Sequence, residues 1–599
     1  MAPNKNQNSR LWKLKTAAFK KKVYLQDYFG LYSYRRWIDD NEGHAGHINL
    51  SNTSSEPPEH QPLISFLIPC VTGSSDDLLK TLDGLNAQTY RNWEAHLAID
   101  DRFANELGDI REKPTLKDSR LHHHEINTDR EHVDPVSITL EKASGEYVIL
   151  VDVGDRPAPN LLAEIIKAVS LSPEHDIVYY DEDMLAPDGE TRQDPFFKPD
   201  WSPDLMLSTN YLTHAAFRRI LIDEIIIQES LMEPDFGDLN FRCIERTAHI
   251  HHIPKVLYHN GQPDRTGYAG SSQVYHSRRV KEHLQRRGVK DASTFISEFG
   301  QMKVSWPVDE SLVSIIIPTK DHVELLQTCV SSIKKLTAFK NYEIILVDSG
   351  SEERDTHKYY AQIEHDPVIS IVIYEPGDAF NFNIALNTGA RYAQGEILLF
   401  LNNDTEVIHP DWLEEIVRWA NRAEIGVVGA KLIYPDGTIQ HAGIVVGLEG
   451  HASHVFSGMR EGSSGPFGSV EWYRNYTAVT GACMALRRDV FDQIGGFSEE
   501  YSLVFSDVEI CLRVMEAGYR NVYTPYAKLI HHEGKSRARF MPYEDLQLGY
   551  SHFKDLVENG DPHYNPNLSY AVRKPTLKRI DEEAPIARLQ NILKYYSNK

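Results

Sequence analysis

The chain has 599 residues, enough for several domains, and at 41% hydrophobic and 25% charged it has ample apolar material for more than one buried core. Its formal net charge of -23 excludes a general nucleic-acid binder, because neutralising phosphates needs a basic face. The five cysteines, Cys70, Cys243, Cys329, Cys483 and Cys511, are scattered and never form a C-x-x-C pair. They indicate neither a disulfide framework nor a zinc site, and buried thiols in a reducing compartment are expected.

Residues 1–60 open the chain. Lys5, Arg10, Lys13, Lys15, Lys20, Lys21 and Lys22 are interleaved with Leu11, Trp12, Leu14, Ala17, Phe19 and Val23, and residues 1–26 hold no acid. That pattern predicts a basic amphipathic helix able to dock on an anionic membrane surface. A solvated helix packed on the first domain is an equal alternative. Asn49–Gln61, polar and rich in Ser, Glu and Pro, reads as a linker. No run approaches the roughly 18 apolar residues of a membrane span, and the N-terminus lacks a signal peptide's apolar core. The expected location is cytoplasmic, with peripheral docking on the cytoplasmic face of the membrane.

From residue 61 the chain repeats itself. Pro69 returns as Pro318, Asp100 as Asp348, Gly145 as Gly395, and Pro187-Asp188-Gly189 as Pro435-Asp436-Gly437, with the offset held between 248 and 250. The expected organisation is a first domain at 61–265, a helical linker at 266–308 containing a helix over Val274–Arg287, a second domain at 309–541, and a tail at 542–599 with an amphipathic segment near Ile586–Tyr596. Within the second copy, Val313–Ile317, Ile344–Val347, Ile371–Tyr374 and Ile397–Leu401 are apolar runs of strand length, as in a sheet buried on both faces. Leu326, Val330 and Ile333 mark one face of a helix, as do Leu78, Leu82 and Leu85 in the first copy. Strand–helix alternation predicts two tandem α/β domains with mainly parallel sheets. Ligands in such sheets bind beyond the carboxyl ends of the strands. Here those ends are Pro318–Asp321, Asp348–Ser351 and Asn402–Asp404.

Asp404 follows the apolar run and is able to hold a metal, although a lone acid there is more often a turn former. Downstream come TGACMALRR at 480–488, GGFSEEYSLVFSDVEICLR at 495–513 and HHEGKSR at 531–537. With FFKPDWSPDL and HIPKVLYH in the first copy and SIIIPTKD, LNNDTEV and KLIYPDGTIQHAG in the second, the chain resembles family 2 glycosyltransferases of the GT-A fold. The likeness is to bacterial two-domain members that build O-antigen, capsule and other surface polysaccharides, rhamnosyltransferase-like sequences in particular.

The resemblance implies two GT-A, Rossmann-like domains and an enzyme that moves a sugar from a nucleotide-diphosphate donor to a saccharide or lipid-linked acceptor, with inversion. It places Pro318, Thr319 and Asp348 at the base and ribose, and Asn402-Asn403-Asp404 at the D-x-D position with Asp404 as the acid for Mg²⁺ or Mn²⁺. Asn402 departs from a literal D-x-D, so a metal held partly by phosphates is implied. Asp507 matches the catalytic base. His531 or His532 is the late metal or diphosphate ligand, and Lys535 and Arg537 add positive charge at the leaving group. Blander readings stand beside these: Asp507 as the N-cap of the helix carrying Cys511 and Met515, one histidine closing a strand, and Lys535 and Arg537 as solvated charges.

The internal alignment itself places Gly154 opposite Asp404 and Phe236 opposite Asp507. Asp155 after a one-residue shift, and Asp235 or Asp238 with a gap, are the substitutes. A non-catalytic first domain is expected. The competing readings are a bifunctional transferase, a non-enzymatic sugar-nucleotide scaffold, and a nucleotidyltransferase; the last would need a glycine-rich loop where Pro318-Thr319-Lys320-Asp321-His322 stands. The donor sugar, acceptor, linkage and oligomeric state are not legible in the sequence.

Overall fold

The computed structural model describes residues 5–43, 60–101, 103–104, 114–126, 134–229, 236–261, 273–375, 380–532 and 541–597. Lys535, Arg537 and Asp235 lie outside them, as do residues 49–59 of the polar stretch and 266–272 of the expected helical linker. The chain divides into two compact units. The first-copy unit is Tyr32–Thr294 with Gly465–Phe467, and the second-copy unit is Met1–Leu31, Phe295–Ser464 and Gly468–Lys599.

The basic segment forms helix α1 (Lys5–Tyr28), and it belongs to the second-copy unit. The alternative that packed it on the first domain is therefore corrected. Val23 is buried with Ala571 and Val572, Lys22 pairs with Asp581 at 2.7 Å, and Lys20 pairs with Glu449. Lys13 Nζ sits 3.7 Å above the Tyr595 ring. Leu14, Lys15 and Lys21 remain exposed.

The first-copy unit runs β1 (Ile64–Cys70), α2 (Ser75–Asn86), β2 (Trp93–Asp100), β3 (Leu121–Ile126), α3 (Pro135–Lys142), β4 (Tyr147–Leu150), β5 (Arg156–Pro157), β6 (Ile177–Leu185), β7 (Arg192–Phe196), β8 (Ala216–Arg218), α4 (Phe236–Arg246), β9 (Ile250–Asn260) and α5 (Gln273–Arg286). Its sheet has the order β3-β2-β1-β4-β8-β6-β9-β5, with β7 on β6. Every residue of β1 is buried, as its unbroken apolar sequence requires, and its neighbours β2 and β4 are parallel to it. A reciprocal cap starts α2: Ser74 accepts from the Asp77 amide while Asp77 accepts from the Ser74 amide. That helix buries Leu78, Leu82 and Leu85, each contributing about 1.5–3 kcal/mol.

The second-copy unit continues with β10 (Val313–Thr319), α6 (Val323–Leu336), β11 (Tyr342–Asp348), α7 (Arg354–Ile363), β12 (Ile369–Ile373), β13 (Ile397–Leu401), β14 (Thr405–Val407), β15 (Ile425–Ile433), β16 (Ile439–His441), β17 (Arg474–Asn475), β18 (Cys483–Arg487), α8 (Ser506–Glu516), β19 (Arg520–His531), α9 (Tyr543–Asn559) and α10 (Pro585–Tyr596). The sheet order is β12-β11-β10-β13-β18-β15-β19-β14, with β16 on β15 and β17 on β19. Pairs β10–β11, β10–β13, β11–β12 and β15–β19 are parallel, while β18 and β14 run antiparallel to their partners. One expected strand differs: β12 is an edge with Ile373 at 59% exposure, so it is not buried on both faces.

The landmark glycines have a steric cause. A Cβ on Gly145 would fall 2.6 Å from the Ser65 amide nitrogen, and one on Gly395 would fall 2.6 Å from the Ser314 hydroxyl. The C-terminal segment is core rather than appendage: Leu546, Phe553 and Val557 of α9 and Leu589 of α10 are buried in the second-copy cluster. All five cysteines are free and buried, and burial raises the Cys329 thiol to about 12. Among the described residues no helix is long and apolar enough to cross a membrane.

Candidate active site

Three strand ends meet at one level of the second-copy sheet. Thr319 at the end of β10 is in register with Asp348 at the end of β11, and β13 beside β10 delivers Asn402-Asn403-Asp404. Asn403 Nδ2 donates to Thr319 Oγ1 at 3.1 Å, tying two of these ends together. Asp348 is 3% exposed, and its carboxylate accepts from the Tyr360 hydroxyl at 3.0 Å, the Ser351 amide at 3.2 Å and the Ser351 hydroxyl. The loop without glycine bends through left-handed backbone at Asp321 and His322, both at φ 50. Each such residue costs of order 1 kcal/mol. Asp321 offsets part of this by accepting the Glu352 and Glu353 amides, each at 2.8 Å.

Asp404 is 4% exposed and precedes β14, which pairs antiparallel with the end of β19 so that Thr405 faces His531. That register brings His531 Nε2 to 3.1 Å from Asp404 Oδ1. Side chains alternate along a strand end, so His532 turns the other way and meets Glu406 at 2.9 Å. The two histidines left open by the sequence are thus separated: His531 stands with Asp404, and His532 does not. An oxygen and an imidazole nitrogen at this distance suit adjacent vertices of an octahedron, which lie about 3.0 Å apart for bonds of about 2.1 Å. Asn402 Nδ2 reaches toward His531 at 3.5 Å.

One strap joins this pair to the expected base. The Thr480 amide donates to His441 Nε2 at 3.4 Å, the Gly481 amide to Asp507 Oδ2 at 3.2 Å, and the Ala482 carbonyl accepts from the Asn402 amide at 3.0 Å. His441 is fully buried; burial, with His454 and His531 nearby, pushes its pKa well below the ordinary value and keeps it neutral. Asp507 is not the helix N-cap. Phe505 holds that position at φ 65, and Asp507 lies in the first turn of α8, where the helix dipole favours its charged form.

Sequence reasoning missed Asp545. This buried acid of α9 accepts the amides of Ser502 at 2.9 Å, Leu503 at 2.8 Å and Val504 at 2.9 Å, and so fixes the loop leading into Asp507. Tyr360 and His441 were missed as well. His441 lies in a quoted motif, but nothing local marks its contact with Thr480.

The first copy differs at each chemical position. Gly154 stands where Asp404 would be, at φ 99. Pairing of Pro157 with Tyr258 and Arg156 with His259, continued by one step, places Asn260 where the second copy has His531. Asp155 is 1% exposed and accepts from the Tyr258 hydroxyl at 2.7 Å and the Gly261 amide at 2.8 Å. It lies with Asp152 and His214 in a buried group whose ligand atoms are within 4.8 Å of one another. In α4 the Arg242–Asp238 pair at 2.6 Å repeats the Arg513–Glu509 pair of α8 at 2.6 Å. That register makes Asp238 the counterpart of Glu509 and leaves Phe236, packed edge-on against Phe217, opposite Asp507.

The sequence pattern described as glycosyl transferase family 2 matches residues 314–495, the segment that carries Asp348, Asp404 and the Thr480 strap. An O-antigen biosynthesis protein of Myxococcus xanthus is 36% identical over 534 residues, covering 87% of this chain and 42% of that protein. Over residues 314–495, then, the chain is similar to glycosyl transferase family 2. An uncharacterized protein of Sinorhizobium fredii is also 36% identical, over 536 residues, 85% of this chain and 58% of that protein. The chain spans about half the length of these relatives. A shorter match, 39% over 61 residues, is to the N-acetylglucosaminyl-diphospho-decaprenol L-rhamnosyltransferase of Mycobacterium tuberculosis, 10% of this chain and 20% of that one.

Proposed function

We propose that the second-copy domain transfers a sugar from a nucleotide-diphosphate donor to a saccharide or lipid-linked saccharide acceptor, with inversion, in surface polysaccharide assembly. The observation that carries this is the strap from Thr480 to Ala482, which links the Asp404–His531 pair to Asp507 through backbone hydrogen bonds. Thr319 and Asp348 form the floor for the nucleoside. Asp404 and His531 would hold Mg²⁺ or Mn²⁺, which when bound offsets negative charge on the diphosphate. Asp507 takes the proton from the acceptor hydroxyl as that oxygen bonds to the anomeric carbon. The bond from that carbon to the diphosphate oxygen breaks, and its electrons leave with the diphosphate. The O-antigen role named for the Myxococcus relative supports the choice of product class.

The first-copy domain serves this reading without chemistry of its own, because Phe236 offers no base. A bifunctional enzyme is the second reading, favoured by the buried group Asp152, Asp155 and His214. Exposed Leu14, Lys15 and Lys21 on α1 are where we place peripheral docking on an anionic membrane, testable by flotation with anionic and neutral liposomes. Incubation with a panel of nucleotide sugars, measuring donor hydrolysis and thermal shift, tests the function itself. One donor is expected to be hydrolysed and to raise Tm; a panel with no binder and no turnover contradicts the proposal.

A further inference from the structure

Far from any strand end with nucleotide chemistry, the first-copy sheet gathers imidazoles around a carboxylate. Glu94 is the second residue of β2, while the carboxyl end of that strand, Asp100, lies about 20 Å away at 3.3 Å per residue. Glu94 and His96 share one face of β2, and the parallel register sets His122 of the edge strand β3 beside His96, with His124 two residues on. The second copy keeps only part of this. Ser65 and Ser144 converge on Glu94 as Ser314 and the Gln394 amide converge on Glu343, so the glutamate is a latch common to both copies. The histidines are not: Ile345 and Ser370 are in register where His96 and His122 stand.

Three observations separate this group from a chance cluster. His96 is 4% exposed, and its Nε2 has no hydrogen-bond partner although it lies 3.2 Å from Glu94 Oε1; the two are close but not aligned for a hydrogen bond. His122 Nε2 approaches the other carboxylate oxygen, Oε2, at 3.7 Å, and the ligand atoms of Glu94, His96 and His122 all lie within 4.8 Å of one another. His96 Nδ1 lies 3.1 Å from His124 Nε2 with the rings 4° from coplanar. An N–H at Nδ1 donated along that line leaves the lone pair at Nε2, aimed into the group. Ligand atoms around a tetrahedral zinc ion lie about 3.3 Å apart, close to the distances already present.

We propose that Glu94, His96 and His122 bind a borderline divalent transition-metal cation, Zn²⁺ foremost, with His124 fixing the tautomer of His96. Two imidazoles and a carboxylate are a donor set for Zn²⁺ rather than for Mg²⁺, and they leave a fourth position to water. The cation bridges β2 to β3 and so fastens the open edge of the sheet, which is a structural task and separate from transfer at the second copy.

The test uses untagged full-length protein, stripped with chelator and titrated with Zn²⁺ alone against a chromophoric competitor, with Co²⁺ as spectroscopic probe. Asp404→Asn is expected to keep one tight Zn²⁺ equivalent and its Co²⁺ visible spectrum. His122→Gln and His96→Gln are each expected to weaken that equivalent by about 100-fold or more and to change the spectrum. Donor turnover should be unchanged in His122→Gln. His122 sits on an exposed edge, so that variant is expected to fold, and circular dichroism checks it. Wild-type affinity and stoichiometry in His122→Gln overturn the proposal, as does an Asp404→Asn variant that retains no tight Zn²⁺ equivalent.

Discussion

The two copies share what packing demands and differ where chemistry would be done. Both keep the serine–glutamate latch, the glycine that lets the strand beside it approach, and an arginine bonded one turn back to an acid on the equivalent helix. The strand ends are where they part. The second copy has Asp404 and His531 in contact and Asp507 on a helix start; the first has Gly154, Asn260 and Phe236. Losing Gly145 or the latch would force buried atoms together or strand a half-buried carboxylate, whereas losing an acid at a strand end leaves the core intact. A duplicated domain can therefore surrender its reaction at little cost in stability.

The largest effect that would sharpen this contrast is loss of the Asp404–His531 pair, which we propose holds a metal. Asp404→Asn and His531→Gln are each expected to lower kcat by about 100-fold or more, and excess EDTA to abolish turnover until Mg²⁺ or Mn²⁺ is restored. His532→Gln should stay within about threefold, because that ring serves Glu406 instead. Full activity in EDTA would remove the metal from the account.

Asp545→Asn is expected to have a smaller effect. It keeps one acceptor oxygen for three loop amides, so kcat should fall by roughly tenfold with donor affinity unchanged, and stability by about 1–3 kcal/mol. An unchanged kcat with lowered stability would show that the loop before Asp507 needs no such anchor. Smallest of all is the first-copy pair: Asp152→Ala with Asp155→Ala should leave transfer within about twofold, with a single product linkage. Disappearance of one of two linkages would break the comparison and establish two active domains.

Much of this was legible in the sequence, for physical reasons. Unbroken apolar runs mark strands buried on both faces, so β10, β11 and β13 were expected to within two residues, and β12 forms as expected but is buried on one face only, because an edge strand needs only one apolar face. The held offset between copies exposed the repeat, and the spacing of Asp238 and Arg242 reproduces the alignment that set Phe236 against Asp507. The choice between His531 and His532 was not legible, because it depends on which residue of β19 faces Thr405. Asp545 was invisible for a similar reason: its amide partners lie more than 40 residues away, and an acid in the first turn of a helix is common. Nor could α1 be assigned its partner, since a basic amphipathic face fits a membrane and an acidic neighbour such as Asp581 or Glu449 alike.

Asp507 is the proposed base, and steady-state turnover of Asp507→Asn beside its donor affinity tests that role most directly. Asparagine keeps the oxygen that accepts the Gly481 amide but takes up no proton. Turnover is expected to fall by roughly two or more orders of magnitude with donor Kd within about threefold of wild type. Near-normal turnover in this variant, with the donor still bound, would contradict the account.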